Sequence, residues 1–134
     1  VTSGLETFAG LVRREPVLAI VFTLFLLSLT GIPPTAGFFA KAYVIIAAVE
    51  AGGATSILAV VAVLNAAVAA FYYLRVIVYM YMRDPETDAG PQRHGALLWG
   101  GLGIATALTI ALGLFPATIL GIISDAALAV SLGR

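Results

Sequence analysis

The chain has 134 residues, of which 61% are apolar and only 10% are charged, with a mean hydropathy of +1.07. Soluble domains are roughly 45–50% apolar and about 25% charged, so the composition predicts an integral membrane protein. The formal net charge is zero, which leaves no basic surface of the kind that binds nucleic acid. There is no cysteine, which excludes a cysteine-ligated iron–sulfur cluster, and His94 is the single histidine, so no metal site is expected.

A polar lead of residues 1–16 opens the sequence. It begins at Val1 and lacks the basic segment followed by an apolar core that defines a signal peptide. We therefore expect the C-terminal part of a longer polytopic protein. A short amphipathic stretch between Leu5 and Val12 is predicted to lie at the membrane interface, and Pro16 suits the first position of a helix.

The apolar run over residues 17–49 is too long for one straight span. As a single helix it would reach about 50 Å, against about 30 Å of hydrocarbon. Pro33 and Pro34 lack backbone donors and push the residues before them away from helical geometry, which predicts a break within residues 31–36. The two predicted half-helices are residues 17–30 and 36–49.

Lys41 is the only charged residue between positions 16 and 49. It precedes Glu50 by a helical length of about 14 Å, which places it near the midplane of the bilayer. An ionisable group at that depth is a functional-site hypothesis by default, and a lysine beside a helix break can relay protons. The alternative is a structural ion pair with a carboxylate outside this chain.

The break itself is the second candidate feature. Its freed backbone groups can hold water along a hydrated path, although a plain proline kink would also explain the prolines. The residues assigned to this path are Gly31, Pro33, Pro34 and Thr35.

The remaining elements follow in chain order as a turn (50–56), a span (57–82), a loop (83–94), a span (96–115) and a terminal helix (116–134). Asn65 and Arg75, both in the second span, are candidates for polar support. Ordinary helix packing is the alternative for Asn65, and snorkelling of the side chain to the interface is the alternative for Arg75. His94 is expected to be solvated.

Residues 16 to 44 contain Pro-Val-Leu-Ala-Ile at 16–20 and Leu-Ser-Leu-Thr-Gly-Ile-Pro-Pro-Thr-Ala-Gly-Phe-Phe-Ala-Lys-Ala-Tyr-Val at 27–44, and they are followed by Tyr-Tyr-Leu-Arg at 72–75. This pattern resembles the antiporter-like, proton-pumping subunits of respiratory complex I, most closely subunit N of bacterial NADH–quinone oxidoreductase. The resemblance implies that Lys41 is the family's lysine near the outward proton exit, and that Pro33 and Pro34 form the break of a discontinuous helix.

The same resemblance implies a role for the chain within a larger assembly. That assembly would be a translocase that couples quinone reduction to proton pumping in a bacterial inner membrane. NADH, FMN, Fe–S clusters and quinone would then bind to partner subunits, and this chain would contact the lipid bilayer and other membrane subunits. A subunit of a Mrp-type cation/proton antiporter and a purely structural membrane anchor are the alternatives. The predicted fold class is an all-α transmembrane bundle of about three spans, the first of them discontinuous.

The distribution of arginines predicts the orientation of the spans. Arginines lie in the lead and in the 83–94 loop, and none lies in the 50–56 turn, so the positive-inside rule places the lead and the loop in the cytoplasm. Single cysteines introduced at Thr55 and Thr87 should therefore react with a membrane-impermeant thiol reagent from opposite sides. Labelling of both from the same side would contradict the predicted number of spans.

Overall fold

The computed structural model describes residues 4–85, 90 and 93–133, and every regular element in that part of the chain is helical. Thr87 and its neighbours in the 83–94 loop lie outside the described residues. A short 3₁₀ helix, Leu5–Phe8, comes first. The α-helices that follow are α1 (Leu11–Arg14), α2 (Pro16–Thr30), α3 (Ala36–Ala51), α4 (Ala54–Met82), α5 (Ala96–Leu114) and α6 (Pro116–Leu132).

The predicted all-α fold with a discontinuous first span is confirmed. Helix α2 ends at Thr30 and α3 begins at Ala36, so the backbone between them is not helical. With 15 and 16 residues, the half-helices are each about 23 Å long, too short to cross a bilayer alone. Helices α4 and α5 are each long and apolar enough to cross a membrane, judged by length and composition.

The turn between α3 and α4 is tighter than the predicted 50–56 segment. Only Gly52 and Gly53 leave helical geometry, and both adopt positive φ values, +69° and +59°. Glycine reaches this region without steric cost, so two residues suffice to reverse the chain. The amides of Thr55 and Ser56 already donate to the carbonyls of these glycines at 3.3 Å, within the first turn of α4.

Helix α4 runs antiparallel to the broken span and packs against both of its halves. Near its end, the buried Met80 packs with Ala19 and Leu26 of α2. The lead folds back onto this cluster, where the ring of Phe8 stacks on that of Phe22 with centroids 5.4 Å apart. The apolar side of the lead is therefore covered by helices of the same chain.

Two ion pairs join the lead to the segment after α4. Arg13 pairs with Asp84, and a carboxylate oxygen of Glu15 lies 2.7 Å from Nε2 of His94. The side chain of His94 is 23% exposed and that of Glu15 is 15% exposed. The expectation that His94 is solvated is thus wrong, because the fold brings a carboxylate from the lead to it. The lead and the start of the loop share one end of the bundle; the side of the membrane that this end faces stays a prediction.

Large apolar side chains cover most of the outside of the bundle. Leu97 is 93% exposed and Met82 is 81% exposed, and residues of this kind occur along every long helix. Monomeric soluble proteins rarely expose contiguous apolar patches of this extent. The outer surface therefore suits lipid or further membrane helices.

Helix α5 covers the break between α2 and α3 through one glycine. Gly113 is buried, and a Cβ atom at this position would overlap the carbonyl oxygen of Pro34 and lie 2.7 Å from the Cα atom of Thr35. The backbone of the break therefore touches the backbone of α5. Non-helical backbone at membrane depth requires such cover by protein or by a water-filled cavity.

Gly113→Ala should destabilise the bundle by about 1–3 kcal/mol, because the added methyl group must displace main-chain atoms that have little room to move. The measurement is the thermal unfolding of the detergent-purified protein. Gly101→Ala on the same helix is the matched control, since a Cβ atom there meets nothing within 4 Å. Equal unfolding temperatures for the two variants would show that the backbone of α5 is not in close contact with the break.

Candidate functional site

Helix α2 ends by a backbone motif that depends on Gly31. This residue has a φ of +90°, its amide donates to the Ser28 carbonyl at 3.0 Å, and the amide of Ile32 donates to the Leu27 carbonyl at 3.2 Å. These two bonds are the Schellman pattern of a helix end, which requires a left-handed residue that is usually glycine. The helix therefore stops before Pro33 is reached.

Thr35 organises the non-helical segment before α3. Its side chain is buried, with 7% exposure for the residue, and its hydroxyl donates to the Ile32 carbonyl at 2.7 Å. Its own amide bonds the same carbonyl at 3.2 Å, and its carbonyl accepts from Phe38 at 3.1 Å. Pro33 and Pro34, which are joined by a cis peptide bond, have no amide hydrogen to satisfy. Every assigned path residue is therefore part of the turn.

A serine of α2 caps the start of α3. The hydroxyl of Ser28 accepts a hydrogen bond from the amide of Gly37 at 3.2 Å, whereas Thr35, at the N-cap, makes no side-chain capping bond. A Cβ atom on Gly37 would overlap the Ser28 carbonyl oxygen, so glycine permits this close approach. The two half-helices are thus held together directly, side chain to backbone.

Lys41 lies in the second turn of α3, and its side chain reaches back to the end of α2. Its ammonium group donates to the carbonyl oxygen of Leu29 and, at 3.2 Å, to that of Thr30. The end of a helix has a partial negative charge, which favours a cation. Neither ion pair among the described residues includes Lys41. The charge is therefore held by backbone dipoles within this part of the chain.

An open cavity of about 490 Å³ lies beside Lys41, between α3 and α4. Most of its wall is apolar, formed by alanine, valine, leucine and isoleucine side chains. Asn65 and Tyr73 are the other residues with polar groups among the described lining residues. The structure therefore brings together Lys41 and Asn65, two of the residues selected from the sequence.

Arg75 lies elsewhere on α4 and is not among the described residues that line this cavity. Its guanidinium carbon lies 5.9 Å from the centre of the Tyr79 ring, and that of Arg83 lies 4.8 Å from the same centre. Cation–π contacts of this kind are typical of basic side chains at an aromatic interface. The geometry thus agrees with the snorkelling alternative for Arg75.

The sequence reasoning missed several groups of the site. Ser28 lies in the half-helix predicted over residues 17–30 without a role of its own, and Tyr73 enters the sequence analysis only as part of the Tyr-Tyr-Leu-Arg pattern at 72–75. The position of Ser28, three residues before the helix-ending glycine, was the available signal for a capping role. The carbonyl groups of Leu29 and Thr30 give no signal of their own in a sequence.

The described residues include no group of three or more His, Cys, Asp or Glu side chains that could hold a metal ion. Over residues 2–68, the sequence matches the profile of the family described as NADH:quinone oxidoreductase/Mrp antiporter, TM. The chain therefore belongs to this family of membrane proteins, and the matched residues include the broken helix and Lys41.

Within the family, the chain is similar to proteins named subunit N. It is 46% identical over 127 residues to NADH-quinone oxidoreductase subunit N 1 of Sorangium cellulosum, covering 92% of this chain and 24% of that protein. It is 44% identical over 119 residues to NADH-quinone oxidoreductase subunit N of Chloroflexus aggregans, covering 89% and 24%. The resemblance proposed from residues 16–44 and 72–75 is confirmed.

A solved structure agrees with these sequence matches. Respiratory complex I from Thermus thermophilus with bound aureothin contains a chain that superposes with a TM-score of 0.73 at 36% identity. The match covers 87% of this chain and 26% of that one. The chain thus spans about a quarter of the length of the relatives that it matches.

Ser28→Ala should destabilise the protein by about 1 kcal/mol, because the partly buried Gly37 amide loses its acceptor. The measurement is again thermal unfolding in detergent. Ser131→Ala is the control, since that exposed hydroxyl only bonds the Leu128 carbonyl within its own helix. If the two substitutions had the same effect, the bond between the half-helices would add nothing to stability.

Proposed function

We propose that this chain contributes part of a proton path to a membrane subunit of an NADH:quinone oxidoreductase. Its relatives named subunit N and its likeness to a chain of respiratory complex I support this assignment. The single observation behind the mechanism is the position of Lys41: its ammonium group lies at the broken end of α2 and beside an open cavity. A proton-transfer group needs access to water and a stabilised charged form, and this position supplies both.

Lys41 acts in this mechanism by releasing and regaining one proton at Nζ. The protonated form is stabilised by the carbonyls of Leu29 and Thr30. The released proton passes to water in the cavity, where Asn65 can orient the water because its amide both donates and accepts hydrogen bonds. The non-helical segment next to this path is formed by Gly31, Pro33, Pro34 and Thr35.

The redox chemistry belongs to partner subunits in this proposal. The chain has no cysteine to ligate an Fe–S cluster, and it is similar to one chain of respiratory complex I, so NADH, FMN, Fe–S clusters and quinone are assigned to the partners. The chain responds to quinone reduction through conformational and electrostatic coupling. In this proposal the chain is located in the inner membrane of a bacterium, as one part of a multi-pass translocase subunit.

A Mrp-type cation/proton antiporter subunit is the second candidate, because the family description includes both classes. The two differ in what drives transport. An oxidoreductase subunit moves protons during NADH oxidation, whereas an antiporter exchanges them for a cation gradient without NADH. Proton uptake in membrane vesicles, measured with NADH alone and with a sodium gradient alone, separates them.

Lys41→Arg should preserve assembly but lower NADH-driven proton pumping about tenfold or more, the effect expected when a proton-transferring side chain is lost. Arginine keeps the positive charge but does not release its proton in a protein. Lys41→Ala should also impair turnover without loss of assembly, because removing the charge also removes a desolvation cost. The measurement is the proton-to-electron ratio in vesicles.

Glu50→Gln is the control for these variants, since it changes one charge on the same helix at an exposed position. It should pump like the wild type. Normal pumping by both Lys41 variants would remove Lys41 from the proton path. Full activity of Lys41→Arg together with failed assembly of Lys41→Ala would instead identify Lys41 as a fixed structural cation.

A further inference from the structure

The last four carbonyl groups of α2 can each be accounted for. Those of Leu27 and Ser28 accept from the backbone amides of Gly31 and Ile32. Those of Leu29 and Thr30 accept from the ammonium group of Lys41. A helix end leaves four carbonyls without partners inside the helix. The backbone motif provides donors for two of them, and Lys41 provides the donor for the other two.

The end of α2 is the main negative feature that faces this ammonium group. The helices that pack against α3 are α2, α4 and α5. Helices α2 and α5 contain no charged residue, and α4 presents only the neutral Asn65 and the phenol of Tyr73 in the shared cavity. On α3 itself, the titratable groups besides Lys41 are Tyr43 in the next turn and Glu50 at the far end.

We propose that the contact between the Lys41 ammonium group and the carbonyls of Leu29 and Thr30 is a protonation-dependent latch that holds α2 and α3 together at the break. This inference rests on the proposed function in one respect, namely that Lys41 gains and loses a proton. The protonated side chain has a full charge at the negative end of α2, which stabilises the closed contact. The neutral amine loses that attraction, and its side chain is free to turn into the cavity towards Asn65.

Gly31 is the positioning residue of this latch. A Cβ atom on Gly31 would lie 3.3 Å from Cδ and 3.6 Å from Nζ of Lys41, so the lysine side chain passes directly over the glycine. Asparagine tolerates the left-handed backbone better than other residues with a side chain. Gly31→Asn therefore keeps the helix end but places side-chain atoms where the lysine side chain lies. An effect of this variant can be assigned to displacement of Lys41 and not to backbone strain.

The test is hydrogen–deuterium exchange of the amides of residues 31–38 in the assembled membrane complex, corrected for intrinsic exchange rates. In the wild type, exchange should be slow near neutral pH and rise about tenfold at alkaline pH, as expected for loss of a charge at a partly buried helix end. Lys41→Met should show the fast rate at both pH values. Lys41→Arg should show the slow rate at both.

Three further variants complete the design. Gly31→Asn should give fast exchange near neutral pH, as Lys41→Met does. Tyr73→Phe should keep the wild-type pH dependence, which excludes the phenol as its source, and Glu50→Gln should keep it too. Exchange that is equally slow in the wild type, Lys41→Met and Lys41→Arg at both pH values would overturn the latch, as would loss of the pH dependence in Tyr73→Phe.

The result is separable from the proposed function. If Lys41→Arg pumps normally while the exchange pattern is as expected, the latch exists but proton transport does not pass through Lys41. If the Lys41 variants fail to pump while exchange at the break is unchanged, the lysine is in the path without holding the half-helices together.

Discussion

An interrupted helix in apolar surroundings must find partners for the backbone groups that the interruption frees, and this constraint organises the whole bundle. A buried unpaired amide or carbonyl costs as much as a lost hydrogen bond, and no bulk water is at hand within the hydrocarbon. Here the partners come from three sources: the Schellman motif at Gly31, the hydroxyls of Ser28 and Thr35, and the ammonium group of Lys41. Pro33 and Pro34 have no amide hydrogen, so they need no acceptor. The surrounding helices pack around a turn that is nearly complete in itself.

The same accounting explains how a charged residue is tolerated within an apolar bundle. Lys41 is costly as an isolated cation in lipid, but two carbonyls and a helix dipole offset part of its desolvation. Backbone carbonyls accept hydrogen bonds without binding the lysine as firmly as a paired carboxylate would. Within the described residues the lysine is therefore held by main-chain dipoles and not by an ion pair.

The exposed apolar surface is consistent with the partial length of the match. The chain corresponds to about a quarter of its relatives, and most of its large apolar side chains are uncovered in the isolated bundle. The cavity beside Lys41 is likewise open on one side. Further membrane helices or lipid would cover both the exposed surface and the open side of the cavity.

The sequence by itself determined the membrane character, the all-α fold and the break, because each follows from local composition or from backbone chemistry that proline and glycine impose on their neighbours. It also selected Lys41 as the candidate site residue, which stays a prediction. Only the tertiary structure decided which groups meet. The pairing of His94 with Glu15, the cap that Ser28 provides to Gly37, and the cover of Pro34 by Gly113 all join residues from different elements. The partners of Lys41 are main-chain carbonyls, which every residue has, so no pattern of side chains could single out Leu29 and Thr30. The packing of α3 against the end of α2 brings them to the ammonium group.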